Sequence, residues 1–184
     1  IVETVLRGGQ EVQLHLHPNW AGATRDDGGA NFGKFDLSEY SRVEQETLIT
    51  GARELLVAAG VPNPIAFRAG NYAGNDDTMA ALAALGFAYD SSHNGSAHPF
   101  PSAMTLQARQ IAPIAHRGLT EVPVTLIEDR MEAYRNFQIC ALSTAEMRAA
   151  LDHAIDQSHA AVTIVNHGFE LANRQGTMPN NVHV

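Results

Sequence analysis

The chain has a single cysteine, Cys140, in 184 residues. That excludes an intrachain disulfide and any zinc site built from cysteines. Basic residues are also scarce: 12 Lys and Arg stand against 20 Asp and Glu, for a formal charge of −8. No Lys/Arg-rich run occurs. This argues against nucleic acid and anionic membrane surfaces as partners and leaves neutral ligands such as sugars open. No stretch reaches the ~18 consecutive apolar residues of a membrane-spanning helix. What is present is a globular composition, 45% hydrophobic and 17% charged, in a length that suits one domain over residues 1–184. The first residue is Ile1, and IVETVLRGG reads as the tail of a helix ending at Gly8 or Gly9. The expectation is a chain that begins mid-domain. A leader would lie upstream, so localisation stays open, with the cytoplasm as the default.

The periodicities predict alternating strands and helices. In EVQLHLH (11–17), Val12, Leu14 and Leu16 face one way and Gln13, His15 and His17 the other, the two-residue period of a strand. Residues 18–40 read as a long loop, the kind that is functional more often than not. Ser41 with Glu44 forms a capping box that opens a helix to about Ala59, with Gly60 as its stop. PIAFRAG (64–70) reads as a short buried strand, Asn75 as the cap of a helix over 76–85, and FAYDSS (87–92) as a strand and turn. Residues 93–118 read as loop. EVPVTLI (121–127) reads as a strand, with Pro123 placing it at an edge or bulge. Ser143 with Glu146 opens another helix to about Gln157. The β-branched run AVTIVNH (161–167) reads as a strand buried on both faces. Such alternation points to an α/β fold with a parallel sheet or barrel.

The candidate chemical residues sit at the ends of these strands. His15 and His17, at i and i+2, lie on one strand face ~6–7 Å apart along the chain, where two imidazoles can share one metal ion. A pair of half-exposed histidines on a polar strand face is the plainer alternative. His167 ends its strand ahead of Gly168 and can serve as a general acid or base. Arg68 ends PIAF, where a guanidinium can clamp a carboxylate, whether from a substrate or from a catalytic acid. Asp90 ends FAYD as a candidate ligand or orienting carboxylate, although starting the turn at Ser91 and Ser92 explains it almost as well. Trp20, Phe32, Asn71 and Tyr72 lie in the adjoining loops, and the aromatics among them can stack on sugar rings. In parallel α/β folds, functional groups collect at the carboxyl ends of strands, so three strands ending in His, Arg and His describe one mouth.

The segments GGQEVQLHLHPNW, FRAGNYAGNDDTMAALAALGFAYDSS and VTIVNHGFEL resemble the polysaccharide deacetylases, the NodB-homology or carbohydrate esterase 4 group. Their nearest likeness is to a WalW-like branch linked to lipopolysaccharide biosynthesis. The resemblance implies a distorted (β/α) barrel of seven strands, here without its first strand. It also implies a divalent metal, zinc above all, held by one aspartate and two histidines. His15 matches the first histidine ligand. The second is expected four residues on, where Asn19 stands, so His17 and Asn19 remain alternatives for it. Arg68 matches the arginine that orients the catalytic base, and His167 the histidine that acts as general acid. The aspartate base and the aspartate ligand belong to a strand preceding Ile1; Asp26 and Asp27 do not fit that motif.

The implied reaction is hydrolysis of an N- or O-acetyl group on a cell-surface polysaccharide or its precursor, giving acetate and a deacetylated sugar. Trp20, Asn71, Tyr72 and Asp90 are the expected substrate-binding residues. Three rivals stand beside this reading: a metal-dependent amidohydrolase on the same barrel, a carbohydrate-binding relative that has lost turnover, and a fragment inactive by itself.

Overall fold

The computed structural model describes residues 1–21, 33–131 and 133–167. The chain opens with helix α1 (Val2–Arg7) and strand β1 (Leu14–Leu16). Helix α2 (Arg42–Ala58), strand β2 (Ala66–Ala69), helix α3 (Asp76–Ala84) and strand β3 (Tyr89–Asp90) follow. Next come β4 (Ile114–His116), β5 (Leu119–Glu121), β6 (Leu126–Arg130), β7 (Ala133–Asn136) and helix α4 (Thr144–Asp156). The expected α/β class with a parallel sheet is present. One five-stranded sheet runs in the order β1-β2-β3-β5-β4, parallel except at β4, and β6 and β7 form a separate antiparallel pair. Among the described residues these strands do not close into a barrel. No helix there is long and apolar enough to cross a membrane.

The helix starts follow from their caps. The Ser41 side chain accepts from the Glu44 amide while Glu44 reaches back to the Ser41 amide, and Ser143 with Glu146 repeats the arrangement. Asn75 caps α3 with Thr78 as its partner. Such caps satisfy amides that have no partner within the helix.

Register decides which side chains enter the core. Leu14 pairs with Phe67, His15 with Arg68, and Leu16 with Ala69. Leu14, Phe67 and Ala69 join Ile49, Met79, Leu82, Phe87 and Leu119 in one apolar cluster with α2 and α3. His15 and Arg68, one step along each strand, belong to the opposite face of the pleat.

Three expected elements come out differently. The stretch 93–118 is not all loop: β4 and β5 form a hairpin closed by Arg117 (φ 49°) and Gly118 (φ 97°). Both residues carry the positive φ that a type I′ turn requires. EVPVTLI is not one strand. Glu121 ends β5, Leu126 begins β6, and Pro123, which has no amide to donate to a ladder, lies between them. The run 161–167 is not buried on both faces. Val165 is buried and bridged to Gln138, but Ile164 is 44% exposed. The segment is instead held in extended form by bonds from the Thr125 amide to the Thr163 carbonyl and from the Val165 amide to the Phe137 carbonyl.

Candidate active-site cleft

A cleft of about 450 Å³ runs along β1 and β2 and past their carboxyl ends. His15, His17, Arg68, Asn71, Tyr72 and His167 all line it. The segments that supply them lie far apart in sequence, and the parallel register of β1 and β2 with the extended run ending at His167 brings them together.

His15 and His17 project to the same side, their rings edge-to-face with centroids 4.8 Å apart. The Nδ1 atom of His15 lies 2.9 Å from the Arg68 carbonyl oxygen. A carbonyl oxygen only accepts, so Nδ1 carries the hydrogen and the lone pair of the neutral ring is on Nε2. Metal-binding histidines are oriented in the same way, with one nitrogen spent on a carbonyl or carboxylate. The His17 ring is held by close packing: a Cβ built on Gly70 would come within 2.5 Å of its Nδ1. Burial lowers the pKa of both rings. At His15 the bond to Arg68 opposes the shift, while His17, Arg68 and His167 add to it. At His17 the charge of His167 adds to the shift and that of Asp36 opposes it. Burial thus favours the neutral form of both imidazoles, the form that binds a metal.

Arg68 is fixed from the neighbouring strand end. Its Nε donates to the Ser91 carbonyl (3.0 Å) and its Nη2 to the Ser91 hydroxyl (2.8 Å), which in turn donates to the Val122 carbonyl (2.7 Å). After β2 the chain turns sharply. Asn71 (φ 56°) and Tyr72 (φ 60°) are both left-handed, a conformation costing roughly 1–2 kcal/mol for a residue with a Cβ. Asn71 is restrained by a 3.2 Å bond from its side-chain amide to the Asp36 carboxylate.

Two expected substrate-binding residues are elsewhere. Asp90 is completely buried. Its register partner is Phe67, a core residue, so its side chain enters the interior and its carboxylate accepts from the amide and hydroxyl of Ser92. It therefore cannot touch a ligand in the cleft. Trp20 is 56% exposed on a short helical turn, Pro18–Trp20, and does not line the cleft. Phe32, Gly168, Asp26 and Asp27 lie outside the described residues. Asn19 is buried, and its side-chain oxygen has no hydrogen-bond donor among the described residues.

Gly70 and Asp36 enter the site without having been singled out from sequence, and Ser91, expected only as a turn residue, enters as the anchor of Arg68. Asp36 was legible in principle: Asp36-x-x-Glu39 is itself a capping box, formed around the short turn Leu37–Glu39.

Among the described residues no three His, Cys, Asp or Glu side chains are arranged to hold one metal ion. The donor chemistry of His15 and His17 fits two positions of such a site. No family model, curated protein or solved structure matches the chain.

Proposed function

We propose that this chain is a polysaccharide deacetylase-like catalytic domain of the (β/α)-barrel type that removes acetyl groups from an N- or O-acetylated sugar with the help of a divalent metal. The observation that carries the proposal is the meeting of His15, His17, Arg68, Asn71, Tyr72 and His167 in one cleft at the strand ends. The lining among the described residues includes no Asp or Glu, although the chain is acidic. That suits a neutral or acidic carbohydrate better than a cationic ligand.

His15 would hold the metal through Nε2, and His17 beside it from a ring position set by Gly70. A bound zinc ion supplies Lewis acidity at the acetyl carbonyl and makes water more acidic. Arg68, anchored on Ser91, would present a fixed positive charge to a carboxylate brought into the cleft by the catalytic base or a substrate. Asn71 and Tyr72 stand where sugar hydroxyls and a ring face would meet them. His167 gives a proton to the leaving amine or alcohol. The aspartate base and aspartate ligand of the resemblance have no match among the described residues.

The test is acetate release from acetylated sugar oligomers, with zinc content measured in parallel, on the whole protein that carries this sequence. His167→Ala is expected to lower turnover by ~10²–10⁴-fold with little change in zinc content, and His15→Ala to lower both. Unchanged turnover in His167→Ala would refute the assignment of the acid. A second reading is a carbohydrate-binding domain without turnover. It is favoured by Asn19 standing where the resemblance expects the second histidine ligand, and sugar binding with no acetate release would select it.

A further inference from the structure

Asp90 and Glu121 end the neighbouring parallel strands β3 and β5 as direct register partners. Both are completely buried. Two ionised carboxylates side by side in an interior would repel each other and have no water to solvate them. The hydrogen-bond donors around them are unequally shared. Asp90 accepts from the Ser92 amide at 2.9 Å and the Ser92 hydroxyl at 2.8 Å. That hydroxyl already accepts from the Ala69 amide at 2.8 Å, so its own hydrogen is directed to Asp90. Glu121 accepts at Oε1 from the His93 amide at 2.9 Å, while its Oε2 meets no donor among the described residues. A buried oxygen without a donor calls for an explanation. The Asp90 carboxylate lies within hydrogen-bond reach of the Glu121 carboxyl group.

We propose that Glu121 is a neutral carboxylic acid in the folded protein, that it donates its Oε2 proton to an ionised Asp90, and that this acid–carboxylate pair is the positioning element beneath Arg68. One proton then satisfies both the orphaned oxygen and the like-charge conflict. The better-supplied carboxylate keeps the charge, because donors favour the ionised form. Burial and the adjacent charge of Asp90 push Glu121 up to about 10, with the His93 amide and the Arg68 charge opposing. The pair is left with one negative charge and Arg68 as the cation acting on it. The positioning runs through two consecutive serines. Ser92, bonded to Asp90, receives the Ala69 amide, and Ser91, next along the chain, holds the Arg68 guanidinium. Glu121 thus acts on the cleft without touching anything bound in it.

The test is infrared spectroscopy of the whole unmodified chain in heavy water at mildly alkaline pH, where ordinary carboxyl groups are ionised. One carboxylic-acid C=O band is expected, moving when glutamate is isotope-labelled at its side-chain carboxyl and staying when aspartate is. Glu121→Gln, which keeps one donor and one acceptor, should remove the band and leave the Arg68 Nε–H nuclear magnetic resonance signal in place. Asp90→Asn, which loses an acceptor oxygen, should shift that signal. Absence of an acid band in the folded chain, or a band that follows the aspartate label, overturns the proposal. So does a Glu121→Gln variant that displaces the Arg68 signal as far as Asp90→Asn does.

Discussion

Replacing Gly70 with alanine is the sharpest probe of the cleft, because the backbone there would tolerate the change. Gly70 is not among the glycines with positive φ, so an alanine meets no conformational penalty of the left-handed kind. The obstacle is steric. The added Cβ would lie 2.5 Å from Nδ1 of His17 and 2.7 Å from two of its ring carbons, where unstrained carbon contacts need ~3.5–4.0 Å. The ring has to retreat by about 1 Å or rotate away. Overpacking costs ~1–3 kcal/mol where side chains cannot move. His17 is half-buried on two rotatable bonds, so the cost should fall near the lower end, about 1 kcal/mol. For a chain of this length that corresponds to a melting point lowered by ~2–4 °C. The chemical consequence is larger than the stability loss. The 4.8 Å edge-to-face contact between His15 and His17 would open, and under the proposed metal role the lost ligand orientation would cost ~10–100-fold in metal affinity. A thermal melt, a zinc titration and the proton signals of the two rings measure all three effects. Zinc affinity and His17 ring signals equal to those of the unsubstituted chain would refute the reasoning. A stability loss well above ~3 kcal/mol would show that the ring is locked in place rather than packed.

Other outcomes follow from the same geometry. Burial works to raise Asp76, but bonds from Thr105, His116 and Arg117 outweigh it and hold its carboxylate far below the usual range. Its contribution is therefore present above the ordinary carboxylate pKa near ~4 and is lost as pH falls further. Asp76→Ala should cost about 2 kcal/mol in denaturant unfolding at neutral pH, and an equal cost in strong acid would contradict this account. Burial lowers the pKa of His93 despite its bond to the Gln107 carbonyl. The unfolded chain binds that proton more readily, so stability should fall as pH drops through about 6.5. His93→Gln should flatten part of that slope, and an unchanged slope would exclude His93 as a contributor. Tyr72→Gly relieves a left-handed residue, so stability should change by no more than about 1 kcal/mol, while sugar binding measured by calorimetry weakens; unweakened binding would remove Tyr72 from the site.

The sequence makes local features legible and hides those that depend on register. The boxes at Ser41–Glu44 and Ser143–Glu146 each lie within four residues, and both helices start where expected. Alternation in 11–17 correctly separates Leu14 from His15, because pleating is a local property. The β4–β5 hairpin was hidden because its turn places arginine, not asparagine or aspartate, at the first left-handed position. The run 161–167 misled because β-branched residues signal extended backbone, not a neighbour on each side. Asp90 misled for a deeper reason. Its place at a strand end is visible in FAYD, but whether it faces the cleft or the core depends on pairing with Phe67. No local pattern states that pairing.

The cleft and the core are two consequences of one register. Leu14 meets Phe67 on the helix-covered side, and His15 meets Arg68 one residue later on the other. A slip of a single residue would exchange the sets, burying an imidazole among Met79 and Leu82 and exposing two core side chains. Packing therefore enforces the placement of the polar pair, and the site inherits the rigidity of the sheet. Beyond the strand ends that support stops, and costly local features begin: Gly70 against His17, then two left-handed residues at Asn71 and Tyr72. Strain of this kind persists only where surrounding contacts over-determine it. Here Asp36 restrains Asn71, and the Asn75 cap of α3 follows three residues after Tyr72. The chain is thus clamped on both sides of its strained turn, which keeps Asn71 and Tyr72 in the lining of the cleft that His15 and His17 share.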